Sequence, residues 1–83
     1  MPPKVVEEKG YAIVIFTDDH DPPHVHAIKD GKMAKFSLSP VALLDNKGFS
    51  DKMIPEAIEI IRKHKGHCWA VWNNTHGSRE DNS

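Results

Sequence analysis

The residues of this chain best suited to chemistry lie in one stretch, Asp18-Asp19-His20-Asp21-Pro22-Pro23-His24-Val25-His26. It holds three of the six histidines, three aspartates and a Pro-Pro pair. His and Asp side chains bind metals and move protons near neutral pH. Each proline fixes φ at about −65°, so we expect the flanking histidines to lie on a stiffened turn. The sequence therefore predicts a site here, with His24 and His26 as the candidate catalytic acid and base.

Strand-forming sequences lie on both sides of this cluster. Tyr11 to Thr17 is rich in β-branched and aromatic residues and predicts an interior strand, while Val5 to Glu7 predicts a shorter one before it. After the cluster, His24 to Lys29 and Lys32 to Leu38 also have extended character. The histidines are thus expected at the start of a strand.

The Asp30-Gly31 pair predicts how the last two strands pair. A two-residue type I′ turn requires positive φ at both positions, which Asp-Gly favours. The resulting register is Lys29–Lys32, Ile28–Met33, Ala27–Ala34, His26–Lys35, Val25–Phe36 and His24–Ser37. Because side chains alternate along a strand, Val25 and Phe36 belong to a core face. The opposite, mainly polar face carries both histidines, pointing away from the core beside Lys35 and Ser37.

An anion site is one interpretation of that polar face. His24, His26, Lys35 and Ser37 together form a patch of hydrogen-bond donors, and such side chains commonly position phosphates. Paired histidines could further act as acid and base in RNA cleavage.

A metal site is a second interpretation. His24 and His26 at i, i+2 share a strand face, and His20 or an aspartate of the turn would complete a set suited to zinc or iron(II). Lys35 opposite His26 argues against it, because an ammonium group repels a dication. A divalent metal held by His20, His24 and His26 therefore stays an alternative, and no cofactor is favoured. In a third, purely structural interpretation, the aspartates cap local backbone N–H groups and the turn only joins two strands.

The C-terminal half predicts helix. Val41 to Asn46 is interpreted as one or two helical turns, and a longer helix follows with Ser50 or Asp51 as its N-cap and Pro55 in its first turn. Its apolar stripe, expected to pack on the sheet, comprises Ile54, Ala57, Ile58, Ile61, Cys68, Trp69 and Trp72. Gly66 costs up to about 1 kcal/mol within this pattern and is where a break or kink would fall.

Three kinds of side chain on that helix have structural interpretations. His64, at the edge of the stripe, is expected to be a hydrogen-bonded boundary residue, and Cys68 a small core residue. Trp69 and Trp72 are expected to anchor the helix on the sheet. An exposed tryptophan would instead indicate a surface that binds a partner.

Length and composition set broad bounds. The chain has 83 residues, which predicts one small domain over residues 1–76 and a disordered polar tail over 77–83. A net charge of −1 argues against a chain-wide electrostatic binder of nucleic acid or membranes, although a local basic face is compatible with it. A single cysteine excludes an internal disulfide and a thiolate-rich zinc site. With no signal peptide and no apolar run of about 20 residues, we expect a cytoplasmic protein without a membrane partner.

Several of these segments resemble one known family. Gly10 to Phe16, the run Asp19 to His26, Ala34 to Phe36 and Trp72 are similar to short bacterial proteins known as domain of unknown function 4160. The resemblance covers about residues 4 to 77, and its Asp-His-x-Pro-Pro-His-Val-His signature is specific. The chain departs from the family at Lys65-Gly66-His67-Cys68, where a longer charged helix is expected.

The resemblance implies a bacterial cytoplasmic protein but brings no established activity. Its signature positions are His20, Pro22, Pro23, His24 and His26, with Lys35 from the following strand. Gene arrangements in the family are similar to toxin–antitoxin pairs, which implies a small partner protein encoded nearby and an RNA-directed role.

The sequence as a whole predicts an α+β domain: a three- or four-stranded antiparallel meander followed by a C-terminal helical segment packed on one face. The leading hypothesis is a component of a toxin–antitoxin-like module that binds a phosphate-bearing ligand such as RNA through His20, His24, His26, Lys35 and Ser37. One alternative is a metal-binding protein or metal-dependent enzyme that uses the His-rich turn. Another is a protein–protein interaction module with structural histidines. Whether the protein is an enzyme is left open.

Overall fold

The computed structural model describes residues 3–16 and 22–76, where five strands precede two helices. The strands are β1 (Lys4–Glu8), β2 (Tyr11–Val14), β3 (His24–Lys29), β4 (Lys32–Leu38) and β5 (Val41–Lys47). They form one antiparallel sheet in the order β1-β2-β3-β4-β5. The predicted α+β class and antiparallel meander are confirmed. The predicted tail at 77–83 lies outside the described residues.

Two tight turns set the geometry of the meander. Lys9-Gly10 joins β1 to β2 and Asp30-Gly31 joins β3 to β4, with positive φ at all four positions (54° and 82°; 53° and 76°). These are the dihedrals of the mirror-image turns whose twist matches that of paired strands. The observed β3–β4 register agrees with the predicted one at all six pairs.

Strand β5 corrects one prediction, because Val41 to Asn46 is extended rather than helical. It pairs with β4, and it contains one extra residue, Leu44, between the Phe36–Leu43 and Lys35–Asp45 pairs. The local sequence Val-Ala-Leu-Leu is compatible with a helix, but the free edge of β4 offers a complete row of backbone hydrogen-bond partners. This tertiary gain overrides local propensity, and the sheet has five strands rather than three or four.

The C-terminal segment forms two helices, α1 (Met53–Lys63) and α2 (Lys65–His76). The helix is interrupted at His64, which has φ −112° and ψ 25°. Gly66, where the break was predicted, lies inside α2. The predicted side-chain cap is also wrong, because no side chain caps α1 and the Met53 N–H donates instead to the Ser50 carbonyl at 3.0 Å. Pro55 does lie in the first turn, as predicted.

The core lies between one face of the sheet and the helices. Its sheet residues include Ile13, Val25, Ala27, Ala34, Phe36 and Leu38, and its helical residues include Ala57, Ile60, Ile61, Cys68 and Trp72. Cys68 is fully buried, as predicted, and burial raises the pKa of its thiol to about 11. Trp69 is partly buried against this core. No helix in the described part of the chain is long and apolar enough to cross a membrane.

An ion-pair cluster ties the helix break to strand β1. The His64 Nε2 atom lies 2.9 Å from Glu8 Oε1, and the Lys63 ammonium donates to Glu8 Oε2 at 3.1 Å. The hydrogen bonds from His64 and then Lys63 lower the pKa of the Glu8 carboxyl. His64 is thus a half-buried, hydrogen-bonded boundary residue, as the sequence predicted.

Candidate functional site

The sheet face opposite the core carries a row of ionisable side chains on three neighbouring strands. His26 of β3 pairs with Lys35 of β4, and Lys35 pairs with Asp45 of β5. In the adjacent row, Met33 of β4 pairs with Lys47 of β5. Because facing residues on neighbouring strands have Cβ atoms about 5 Å apart, these side chains share one small area.

A cavity of about 120 Å³ lies over these two rows. We call it the β3–β5 cavity; it is lined by His26, Met33, Ala34, Lys35, Asp45 and Lys47. Two lysines outnumber one aspartate, so its lining is positive even with a neutral His26, although the whole chain carries −1. The cavity therefore suits a small anionic group.

The only ion pair among these lining residues is loose. Lys47 Nζ lies 3.5 Å from Asp45 Oδ2, and both side chains are well exposed, at 69% and 49%. Exposed pairs of this kind contribute little free energy. Both charges thus remain accessible to a ligand.

His24 has a different environment from His26. It is buried, with 6% of its surface exposed, and its ring lies 5.5 Å from the ring of Trp72 in α2. The Nδ1–H group donates to the Pro22 carbonyl at 2.8 Å, which in the neutral ring makes Nε2 the acceptor nitrogen. The predicted face is therefore only partly polar, because a helix residue covers His24 at one end of it.

Aromatic contacts continue from His24 in both directions. The His26 ring lies 5.4 Å from the His24 ring and 4.6 Å from the Phe16 ring. On the other side, His76 stacks on Trp72 at 3.8 Å, and its Nδ1–H donates to the Trp72 carbonyl at 3.2 Å. These contacts hold both signature histidines of β3 in fixed positions.

Ser37 faces His24 across the β3–β4 pair, as predicted, but its hydroxyl serves the β4–β5 turn. It donates to the Pro40 carbonyl and lies 3.3 Å from the Ala42 carbonyl oxygen. A hydroxyl has one proton to donate, and here the backbone accepts it. Ser37 therefore supports the turn in this structure.

The predicted metal set is described only in part. His20 lies outside the described residues, so its position relative to His24 and His26 is not part of this geometry. Within residues 3–16 and 22–76, no three or more His, Cys, Asp and Glu side chains gather into a group that could hold a metal ion.

Sequence reasoning missed Asp45 and Lys47, because it interpreted β5 as helical. Extending the register from Leu38–Val41 would have placed Leu44 opposite Lys35, because the extra residue that moves Asp45 into that position has no signal in the sequence. The two tryptophans do not form an exposed surface, since Trp72 is buried and Trp69 partly so. The large apolar side chains most exposed in the described residues are instead Leu43 and Leu44 of β5.

Comparison with known families decides where this fold belongs. The family model described as "Domain of unknown function (DUF4160)" matches residues 10–73. The chain belongs to the DUF4160 family. The matched residues include β2 to β5 and every residue that lines the β3–β5 cavity of this DUF4160 domain. No curated protein and no solved structure matches the chain.

Proposed function

We propose that this DUF4160 protein binds a phosphate-bearing ligand, namely RNA, through the β3–β5 cavity. The observation that carries the proposal is the convergence of His26, Lys35 and Lys47, from three different strands, on one cavity of about 120 Å³. Lysine and histidine N–H groups are common donors to phosphate oxygens. The volume suits a phosphate and the atoms next to it rather than a whole nucleotide.

The rigidity of the cavity supports the same proposal. Its donors project from paired strands rather than from loops, and ring contacts with Phe16 and His24 hold His26 on both sides. Binding therefore costs little side-chain ordering at His26. The lysine contribution is electrostatic, so affinity should fall as salt rises.

A salt titration of RNA binding tests this proposal. Fluorescence anisotropy of a short single-stranded RNA would be measured against wild type, Lys35→Ala and Lys47→Ala at several salt concentrations. We expect each variant to bind about fivefold to tenfold more weakly at low salt, with a log–log salt slope reduced by about 0.7.

The matched control is Lys65→Ala, which removes one exposed positive charge next to His64. His64 bonds to Glu8 of β1, and β1 is the sheet edge opposite β5. The control variant should change affinity less than about twofold, because exposed charges beyond a Debye length of roughly 10 Å are screened. Equal losses in all three variants would show a general charge effect and refute the cavity as the site.

The biological setting belongs to the same proposal. We infer a cytoplasmic role in a toxin–antitoxin-like module with a small partner protein, on the basis of the family resemblance. The exposed Leu43 and Leu44 directly precede the cavity residue Asp45 on edge strand β5, and we infer that the partner binds there. Co-purification of the neighbouring gene product with wild type, and its loss with Leu44→Lys, is the expected result.

Metal binding by His24 and His26 is the second candidate. It is favoured by the hydrogen bond from His24 Nδ1–H to the Pro22 carbonyl, since metal-ligating histidines commonly fix their second nitrogen this way. Titration with zinc, followed by the imidazole NMR signals, tests it. Unchanged signals at equimolar zinc would reject this candidate without affecting the phosphate proposal.

A further inference from the structure

Asp45 is the one acidic side chain in the β3–β5 cavity, and simple anion binding does not explain it. A carboxylate repels a phosphate, and it accepts hydrogen bonds but cannot donate them when ionised. It lies directly opposite Lys35, and its pair with Lys47 is long and exposed. A ligand gains from Asp45 only if it presents a hydrogen-bond donor close to its phosphate.

We propose that Asp45 accepts a hydrogen bond from the ribose 2′-hydroxyl of RNA whose adjacent phosphate contacts Lys35 and His26. The inference rests on the proposed function, and it makes Asp45 the residue that selects RNA over DNA. The 2′-hydroxyl is the group by which proteins distinguish the two nucleic acids.

The spacing of the two groups agrees with this assignment. In RNA the 2′-hydroxyl and the 3′-phosphate are attached to neighbouring ribose carbons, only a few bonds apart. Lys35 and Asp45 are paired on neighbouring strands, and paired residues of neighbouring strands generally have Cβ atoms about 5 Å apart. The Lys35 ammonium can therefore bind the phosphate while the neighbouring Asp45 carboxylate accepts a hydrogen bond from the adjacent 2′-hydroxyl.

The charge balance also favours a ribonucleotide. With Asp45 present, the lining carries one net positive charge from its two lysines, or two if His26 is protonated. A DNA phosphate would meet the same lysines but would bring no donor to the carboxylate. DNA therefore leaves the Asp45 repulsion uncompensated, whereas RNA offsets it with a charge-assisted hydrogen bond.

Binding of three oligonucleotides of one sequence tests the inference: RNA, DNA and 2′-O-methyl RNA. Wild type should bind RNA about tenfold more tightly than either of the others, the ratio expected for one hydrogen bond to a charged acceptor. Asp45→Ala should reduce that ratio below about twofold, mainly by strengthening DNA binding. Asp45→Asn, which keeps an acceptor oxygen, should give an intermediate ratio.

Controls separate this inference from the proposed function. Glu59→Ala removes an exposed carboxylate of α1 outside the cavity and should leave the RNA-to-DNA ratio unchanged. Circular dichroism should show the Asp45 variants to be folded, since the side chain is half-exposed. If RNA and DNA bind with equal affinity and both depend on Lys35, the role of Asp45 is refuted but the proposed function is not. Absence of salt-dependent binding to any of the three would overturn the proposed function as well.

Discussion

The hydroxyl of Tyr11 provides a sharp physical test of the fold, because Tyr11 is the only tyrosine in the chain. The side chain is fully buried and its hydroxyl donates to Glu56 Oε1 at 2.6 Å. Burial, and then the hydrogen bond to Glu56, raises the pKa of Tyr11 from 10.0 to about 12. The tyrosinate absorbance of the whole protein therefore reports this one contact between β2 and α1.

Replacing Tyr11 by Phe keeps the buried ring and removes the hydrogen bond. Bonds to charged acceptors are worth about 1.5–3 kcal/mol, and we expect the lower end because water can solvate the half-buried Glu56 carboxylate. A loss of about 1.5 kcal/mol lowers the Tm of a domain this size by roughly 6–12 °C. Calorimetry or urea unfolding of both proteins measures the difference.

The contribution of Tyr11 to the stability of the fold should change with pH in one direction. A group whose pKa is raised on folding contributes stability below its unfolded pKa, and that contribution declines as pH rises through the folded pKa. The stability advantage of wild type over Tyr11→Phe should therefore be constant from neutral pH up to about pH 10 and narrow towards pH 12. The lysines also lose their charge in this alkaline range, but they do so in both proteins, so their effect on stability cancels in the difference between wild type and the Phe variant.

Two control variants locate the cause. Glu56→Gln should lower the Tyr11 midpoint only partly, because burial is the larger contribution, and Glu59→Gln should leave it unchanged. A tyrosinate midpoint near 10 in protein that circular dichroism shows to be folded would refute the described environment of Tyr11.

Three further predictions concern other contacts. The Cys68 thiol, with its pKa raised to about 11, should react with a thiol reagent at neutral pH only as the protein unfolds; equal rates in buffer and denaturant would contradict its burial. Trp72→Ala should destabilise the fold by about 3–5 kcal/mol in urea unfolding and Trp69→Ala by clearly less, because only Trp72 is fully packed. Glu8→Gln should reduce stability at neutral pH. The difference from wild type should decline below pH 4.5 and be lost as pH falls through the lowered pKa of folded Glu8, because a carboxyl of this kind contributes fully only above its unfolded pKa. A constant difference in acid unfolding would reject the Glu8–His64 pair.

The β3–β4 hairpin was predictable in full because its information is local. Asp30-Gly31 adopts positive φ at both positions, and that turn leaves a single register for the strands on either side. The hydrophobic alternation of Val25, Ala27 and Phe36 points to the same register. The turn residues and the side-chain alternation are independent signals, so a wrong register would require both of them to be misinterpreted in the same way.

Strand β5 was not predictable in the same way, since its conformation depends on the strand beside it. Val41 to Lys47 has no strict alternation, and the extra residue at Leu44 interrupts whatever period it has. The edge of β4 is what makes this segment extended. Because β5 was not predicted, two of the cavity residues were missed as well: Asp45 and Lys47 line the cavity only when β5 pairs with β4.

The two histidines of His-Val-His show most clearly how far a strand pattern can lead. Alternation correctly predicted that His24 and His26 share a face, but it contains no information about what covers that face. Trp72, from the far end of the chain, packs near His24, whereas His26 opens onto the β3–β5 cavity. Two identical residues on one strand face thus have separate environments: His24 contacts the backbone of Pro22 and the final helix, and His26, which lines the cavity, is the one that contacts the ligand under the proposed function. We therefore expect a His24 substitution to reduce the stability of the fold more than the affinity for the ligand. A His26 substitution should reduce the affinity more than the stability.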